Sequence, residues 1–223
     1  MNTRGLKAGA WALGLFPLAR LGWRVATEGL GANPIEAVND WSGWWGLTLL
    51  TITLAVTPVR RLTGRNELIK VRRTLGLFAF TYVTIHFLNY LVLDQFFAWS
   101  FIVEDITERP YILAGFTAFL ILTSLAVTST RGWIRRLGRR WQQLHRLVYL
   151  AGGLGVLHYL WQGKQADTRA PMTFGLIVMT LLALRLGAAQ RLIRRFKLRR
   201  RRPAPGLRPA AQPPRRAGEP VAG

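Results

Sequence analysis

Six apolar runs, each long enough to cross a bilayer as a helix, alternate along this chain with short charged connections. They lie at roughly 8–26, 42–59, 74–93, 110–128, 144–161 and 171–189. A hydrocarbon core of about 30 Å is spanned by about 20 helical residues. Lipid offers the backbone no hydrogen-bond partner, so a segment of this kind satisfies its own N–H and C=O groups by coiling. The expected fold is therefore all-α, a polytopic membrane bundle of about six transmembrane helices. The first run is not read as a cleaved signal, because further membrane-length runs follow it. Prolines at 110 and 171 suit the first turn of a helix, and Pro58 is expected to close the second run.

The formal net charge of +21 suggests nucleic acid at first sight. Its distribution argues otherwise. Of the 31 Lys and Arg residues, 24 fall in four regions: before the first run, between Arg60 and Arg73, between Arg131 and Arg140, and from Arg191 onward. These regions share one side of a six-helix protein, while the opposite connections hold eight of the ten acids. Charge segregated in step with hydrophobicity sets topology and predicts that both termini are cytoplasmic, with no nucleic-acid partner. The expected organisation is a membrane domain over 1–202 and a disordered, basic, Pro/Ala-rich tail over 203–223, weakly attracted to membrane lipids. With no cysteine, the chain can build neither disulfides nor thiolate metal sites.

All three histidines sit in apolar runs. His86 lies thirteen residues beyond Arg73, and His158 thirteen beyond His145. At 1.5 Å per residue both reach about 20 Å from the basic side, so they share a depth on different helices. A histidine inside a membrane is costly and faces the protein interior with a partner. Two at matched depth can supply the axial nitrogens of a six-coordinate haem. Hydrogen bonding across the bundle, a proton relay and metal transport are the other readings. Zinc, which takes three or four close ligands, fits less well. The glycines of "AGGLGVL" allow close approach of either a helix or a flat macrocycle.

His145 lies near the basic face and has no histidine counterpart on the third run, where Arg72 stands fourteen residues before His86. A second bis-histidine haem cannot be made from three histidines. An inner haem held by His145 alone, or an inner flavin or quinone site using His145 with Arg72 or Arg73, are the alternatives; topology alone also explains the arginines.

The stretches "VRRTLGLFAFTYVTIHFLNYL" (71–91), "ERPYILAGFTAFLILTSLAVTS" (108–129) and "LHRLVYLAGGLGVLHYLW" (144–161) resemble the MsrQ family, formerly YedZ, within the ferric-reductase-like transmembrane group. The resemblance spans about residues 8–200. It implies a multi-pass electron-transfer subunit of the bacterial inner membrane. Electrons from the quinone pool, or from a cytoplasmic flavin reductase, would pass through b-type haem to a periplasmic molybdopterin-containing catalytic subunit that reduces methionine sulfoxide. Catalysis is expected in that partner. The resemblance also implies that His86 and His158 hold haem iron and that His145 is the further important histidine, with a second haem or FMN as options there. Only low-complexity sequence follows the sixth run, so the electrons are expected to come from another protein or a diffusible carrier. A histidine-dependent transporter or proton relay without haem is the alternative.

Overall fold

The computed structural model describes residues 3–162 and 168–185, and among them every regular element is helical. The α-helices are α1 (Thr3–Thr27), α2 (Pro34–Thr63), α3 (Arg72–Leu88), α4 (Trp99–Glu108), α5 (Pro110–Val127), α6 (Arg131–Leu137), α7 (Arg139–Leu144), α8 (Val148–Trp161) and α9 (Arg169–Ala183). A π turn, Asn89–Asp94, prolongs α3, and a 3₁₀ turn, His145–Leu147, joins α7 to α8. Pro34–Thr63, Arg72–Asp94 and Pro110–Val127 are each long and apolar enough to cross a membrane. The described part of the sixth run is a shorter apolar helix, α9. Residues 186–189 of that run, Lys164, Asp167, the expected boundary at 202 and the tail 203–223 lie outside the described residues.

α2 packs along α3, and α5 along α8; α9 lies against α8 and α2, and α1 against α3. Leu49, Leu54, Ala79, Tyr82 and Ala151 are buried where these helices meet. The ends of α2 follow from sequence. Asn33 caps its start, the side-chain oxygen accepting from Glu36 N–H at 3.2 Å, with Pro34 in the first position. Gly64, at φ 75°, closes it in the left-handed conformation that favours glycine.

Pro58 does not end α2, contrary to the expectation from sequence. The helix runs on to Thr63 with Pro58 inside it. A proline lacks the N–H that would bond four residues back, here to the Leu54 carbonyl. Arg185 Nη2 supplies a donor to that oxygen at 2.8 Å, while its guanidinium lies over the Tyr149 ring at 4.5 Å. α1 solves a similar problem near Pro17. The Tyr82 hydroxyl donates to Gly14 O at 2.7 Å and accepts from Leu18 N–H at 3.2 Å, entering the helix ladder from α3.

Segment five is not one straight helix either. The 3₁₀ turn begins at His145 itself and leads into α8, which carries His158. The connection between the third and fourth runs, expected as a loop, contains α4, a helix with Ile102 buried and Trp99, Phe101 and Val103 exposed.

Candidate functional site

His86 comes from the last turn of α3 and His158 from the last turn of α8. Their ring centres lie 6.0 Å apart with the planes at 87°. His86 Nδ1 is 2.9 Å from the carbonyl oxygen of Asn39 on α2, and His158 Nδ1 is 2.7 Å from that of Tyr111 on α5. A carbonyl only accepts, so each Nδ1 carries the proton and donates it. Each Nε2 is thereby left as a bare lone pair, the tautomer a metal-ligating imidazole requires.

The way each ring reaches a helical carbonyl is the same. That carbonyl already serves its own helix, and its second lone pair is uncovered because a glycine stands four residues later, on the same face. A Cβ at Gly43 would meet His86 Nδ1 at 3.0 Å, and one at Gly115 would meet His158 Nδ1 at 2.7 Å. Both histidines bond a carbonyl 47 residues earlier in the chain. Asn39, Gly43 and His86 thus recur, 72 residues on, as Tyr111, Gly115 and His158. The tetrapeptide "LAVT" marks the same repeat at Leu54 and, one residue out of step, at Leu125. The α2–α3 and α5–α8 pairs each contribute one imidazole through the same carbonyl–glycine arrangement. Sequence reasoning passed over the repeat and the two glycines, although the constant offset was there to be read.

Two cavities flank the pair, and His86, His158, Gly115 and Val83 line both. One, of about 310 Å³, is mostly apolar, walled by Trp44, Leu47, Leu50, Ala118 and Leu122. The other, of about 180 Å³, is more polar and includes Tyr90, Asp105 and Arg109. The family glycines divide by role: Gly155 lines the first cavity, whereas a Cβ at Gly152 would meet the Leu54 side chain at 3.0 Å. Gly152 therefore serves helix packing. Among the described residues no group of three or more His, Cys, Asp and Glu gathers to hold a bare metal ion.

The donor set fits a haem. A metal–imidazole bond of about 2 Å on each side, plus about 1 Å from nitrogen to ring centre, separates the centres by about 6 Å. The observed 6.0 Å agrees. Both lone pairs are unprotonated, and the space beside the rings is walled by apolar side chains and glycine.

His145 lies elsewhere, on a third cavity of about 570 Å³ that Arg72, Arg73, Arg146, Trp141 and Tyr149 also line. The structure thus places His145, Arg72 and Arg73 around one cavity. Trp141, unremarked in the sequence, stacks on the imidazole with ring centres 3.9 Å apart and planes at 25°. His145 Nδ1 lies 3.1 Å from the Trp141 carbonyl, and the Leu125 backbone on α5 also hydrogen-bonds the imidazole. Leu122 borders both this cavity and the apolar one beside the histidine pair. Phe80, on the His145 cavity, stacks with Phe119 at 6.3 Å, and Phe119 with Phe87 at 4.4 Å; the last two line the polar cavity.

The model of the ferric reductase like transmembrane component matches residues 42–156. A relative from Ralstonia nicotianae is 48% identical over 188 residues, covering 83% of this chain and 86% of its own. One from Herminiimonas arsenicoxydans is 47% identical over 184 residues, covering 81% and 84%. One from Xanthomonas campestris pv. campestris is 46% identical over 186 residues, covering 81% and 85%. All three carry the name protein-methionine-sulfoxide reductase heme-binding subunit MsrQ.

Proposed function

The chain belongs to the MsrQ family of heme-binding subunits, within the ferric-reductase-like transmembrane group, and from that premise we propose that it carries electrons across the inner membrane to a periplasmic methionine sulfoxide reductase. It is a multi-pass inner-membrane protein. Sulfoxide chemistry belongs to the MsrP-like partner, and this chain delivers the reducing equivalents.

The observation that carries the site assignment is the pair of Nδ1–H···O=C bonds that fixes two Nε2 lone pairs on rings 6.0 Å apart. His86 and His158 would hold the haem iron through Nε2, while the carbonyls of Asn39 and Tyr111 hold the rings and raise their basicity. Haem bound there supplies a one-electron iron couple with no open coordination position, suited to electron transfer over oxygen or substrate chemistry. The family resemblance implies that it is b-type, and no cysteine exists to attach a haem covalently. Trp44, Leu47 and Leu50 keep water from the site. Six spans with both termini in the cytoplasm put the histidine pair in the outer half of the membrane and His145 in the inner half, as the charge distribution supports.

Electrons enter at the inner cavity. Its three arginines suit an anionic group, either the phosphate of FMN or the carboxylates of a second haem, and His145 offers a ligand or a hydrogen bond. Quinol and a cytoplasmic flavin reductase are the two candidate donors. The aromatic contacts of Phe80, Phe119 and Phe87 leave a thin, dry partition between the inner and outer cavities. The transporter or proton-relay alternative finds no support in the relatives, whose name is that of a heme-binding subunit.

The test is anaerobic reduction of the purified protein by reduced flavin and, separately, by a quinol analogue. His145→Ala should slow reduction by the physiological donor while the spectrum of the outer haem persists. Unchanged reduction by both donors would remove His145 from electron entry.

A further inference from the structure

The two cavities beside the histidine pair differ in one respect that bears on how a planar cofactor is oriented. A flat group held by both imidazoles extends to either side of the pair, into the apolar cavity and into the polar one. Among the described residues, the apolar cavity is lined by no cation, and the polar cavity by one, Arg109. Haem carries its only ionised groups, two propionate carboxylates, along a single edge. An ionised carboxylate on an apolar wall is costly unless paired.

Arg109 is held in place by its neighbours. Its Nε lies 3.1 Å from Asp105 Oδ1, and the Tyr90 hydroxyl donates to the other oxygen, Oδ2, at 2.9 Å. Arg109 also precedes Pro110, the first residue of α5, where the chain turns from α4 into the span. The guanidinium has five donors in a planar fork. Asp105 engages it through Nε and the Tyr111 side chain also hydrogen-bonds it, which leaves the remaining donors of the fork for a second carboxylate. The side chain is 56% exposed, so it gains a partner with little desolvation. Other charged and titratable groups at this mouth are Asp94, Tyr90 and Tyr111, with His86 and His158 behind them. Asp105 is already paired with Arg109 and hydrogen-bonded by the Tyr90 hydroxyl, and Asp94 accepts from the Gln95 side chain at 3.3 Å.

We propose that Arg109, positioned by Asp105 and Tyr90, is the carboxylate-binding subsite of the outer cavity and fixes the haem with its propionate edge toward the periplasm. The proposal rests on the haem reading of His86 and His158. Arg109 acts on the iron couple only through charge, as a positioning residue. A cation beside the carboxylates favours the reduced iron, so its loss lowers the midpoint potential.

The experiment is spectroelectrochemical titration of the full-length protein in detergent, comparing wild type with Arg109→Lys, Arg109→Gln and Arg109→Glu. The expected order of midpoint potential is wild type close to Lys, then Gln, then Glu. Glu should fall by about a tenfold change in the reduction equilibrium, or about 59 mV for a one-electron couple. If Gln and Glu lose haem while Lys retains it, the subsite is equally supported. Identical potentials across the series, or loss of haem in the Lys and Gln variants alike, would overturn it. Failure of the haem reading would look different, because wild type itself would then show no low-spin haem to titrate.

Discussion

His86 and His158 differ from His145 in where each imidazole is tethered. All three direct Nδ1 at a backbone carbonyl. The paired histidines reach carbonyls on other helices, 47 residues away, whereas His145 reaches Trp141, four residues away in its own turn. The outer pair is therefore a product of helix packing, and its geometry depends on α2, α3, α5 and α8 closing correctly. The inner histidine is held mainly within its own turn, by a hydrogen bond and a stacked indole, with a further backbone bond to Leu125 of α5. An outer site that must hold two ligands in register needs the first kind of control. An inner cavity three times as large as the polar outer one, bordered by several arginines, tolerates the second.

Substitutions should separate the two regions. The largest effect is expected from His86→Ala or His158→Ala, each of which should abolish electron delivery, measured as sulfoxide reduction by the periplasmic partner in proteoliposomes. Gly115→Ala should come next. Its Cβ would stand 2.7 Å from His158 Nδ1 and push the ring off the Tyr111 carbonyl. Loss of such a supporting bond weakens metal binding by about 10–100-fold, so outer haem should be retained that much less well on dilution. The inner site should be untouched by it.

Arg185→Ala acts on packing at the other end. It leaves the Leu54 carbonyl beside Pro58 without its donor, which costs about 1–3 kcal/mol for a buried group. A lowered thermal midpoint in detergent, with the haem spectrum of the folded protein unchanged, is the expected result. Tyr82→Phe should be milder, about 1 kcal/mol, because it removes one hydroxyl bridging Gly14 and Leu18 while the ring stays packed. A loss of haem from Arg185→Ala would mean that the outer pair depends on the far ends of the helices.

Much of this was legible in the chain. Hydrophobic run length was enough for the all-α fold and for the three helices long and apolar enough to cross a membrane, because lipid leaves the backbone few alternatives. Depth arithmetic from Arg73 and Arg140 brought His86 and His158 to one level, and the two rings do meet. Helix interruptions were harder to read. Pro58 looks like a terminator until Arg185, distant in sequence, supplies the missing donor. The 3₁₀ turn at His145 has no proline or glycine to announce it. Trp141 could be seen as an interfacial aromatic, but only the folded turn stacks it on His145. Gly43 and Gly115 are plain residues in plain runs until the 72-residue repeat shows each standing opposite a histidine.

The most direct measurement is haem-to-protein stoichiometry with absorption and EPR spectra on the detergent-purified wild type and on the His86→Ala, His158→Ala and His145→Ala variants. A low-spin bis-imidazole signal is predicted in wild type and in His145→Ala, and should be lost in each of the other two. Persistence of that signal in both His86→Ala and His158→Ala, or its absence from wild type, would show that the paired imidazoles do not hold the iron.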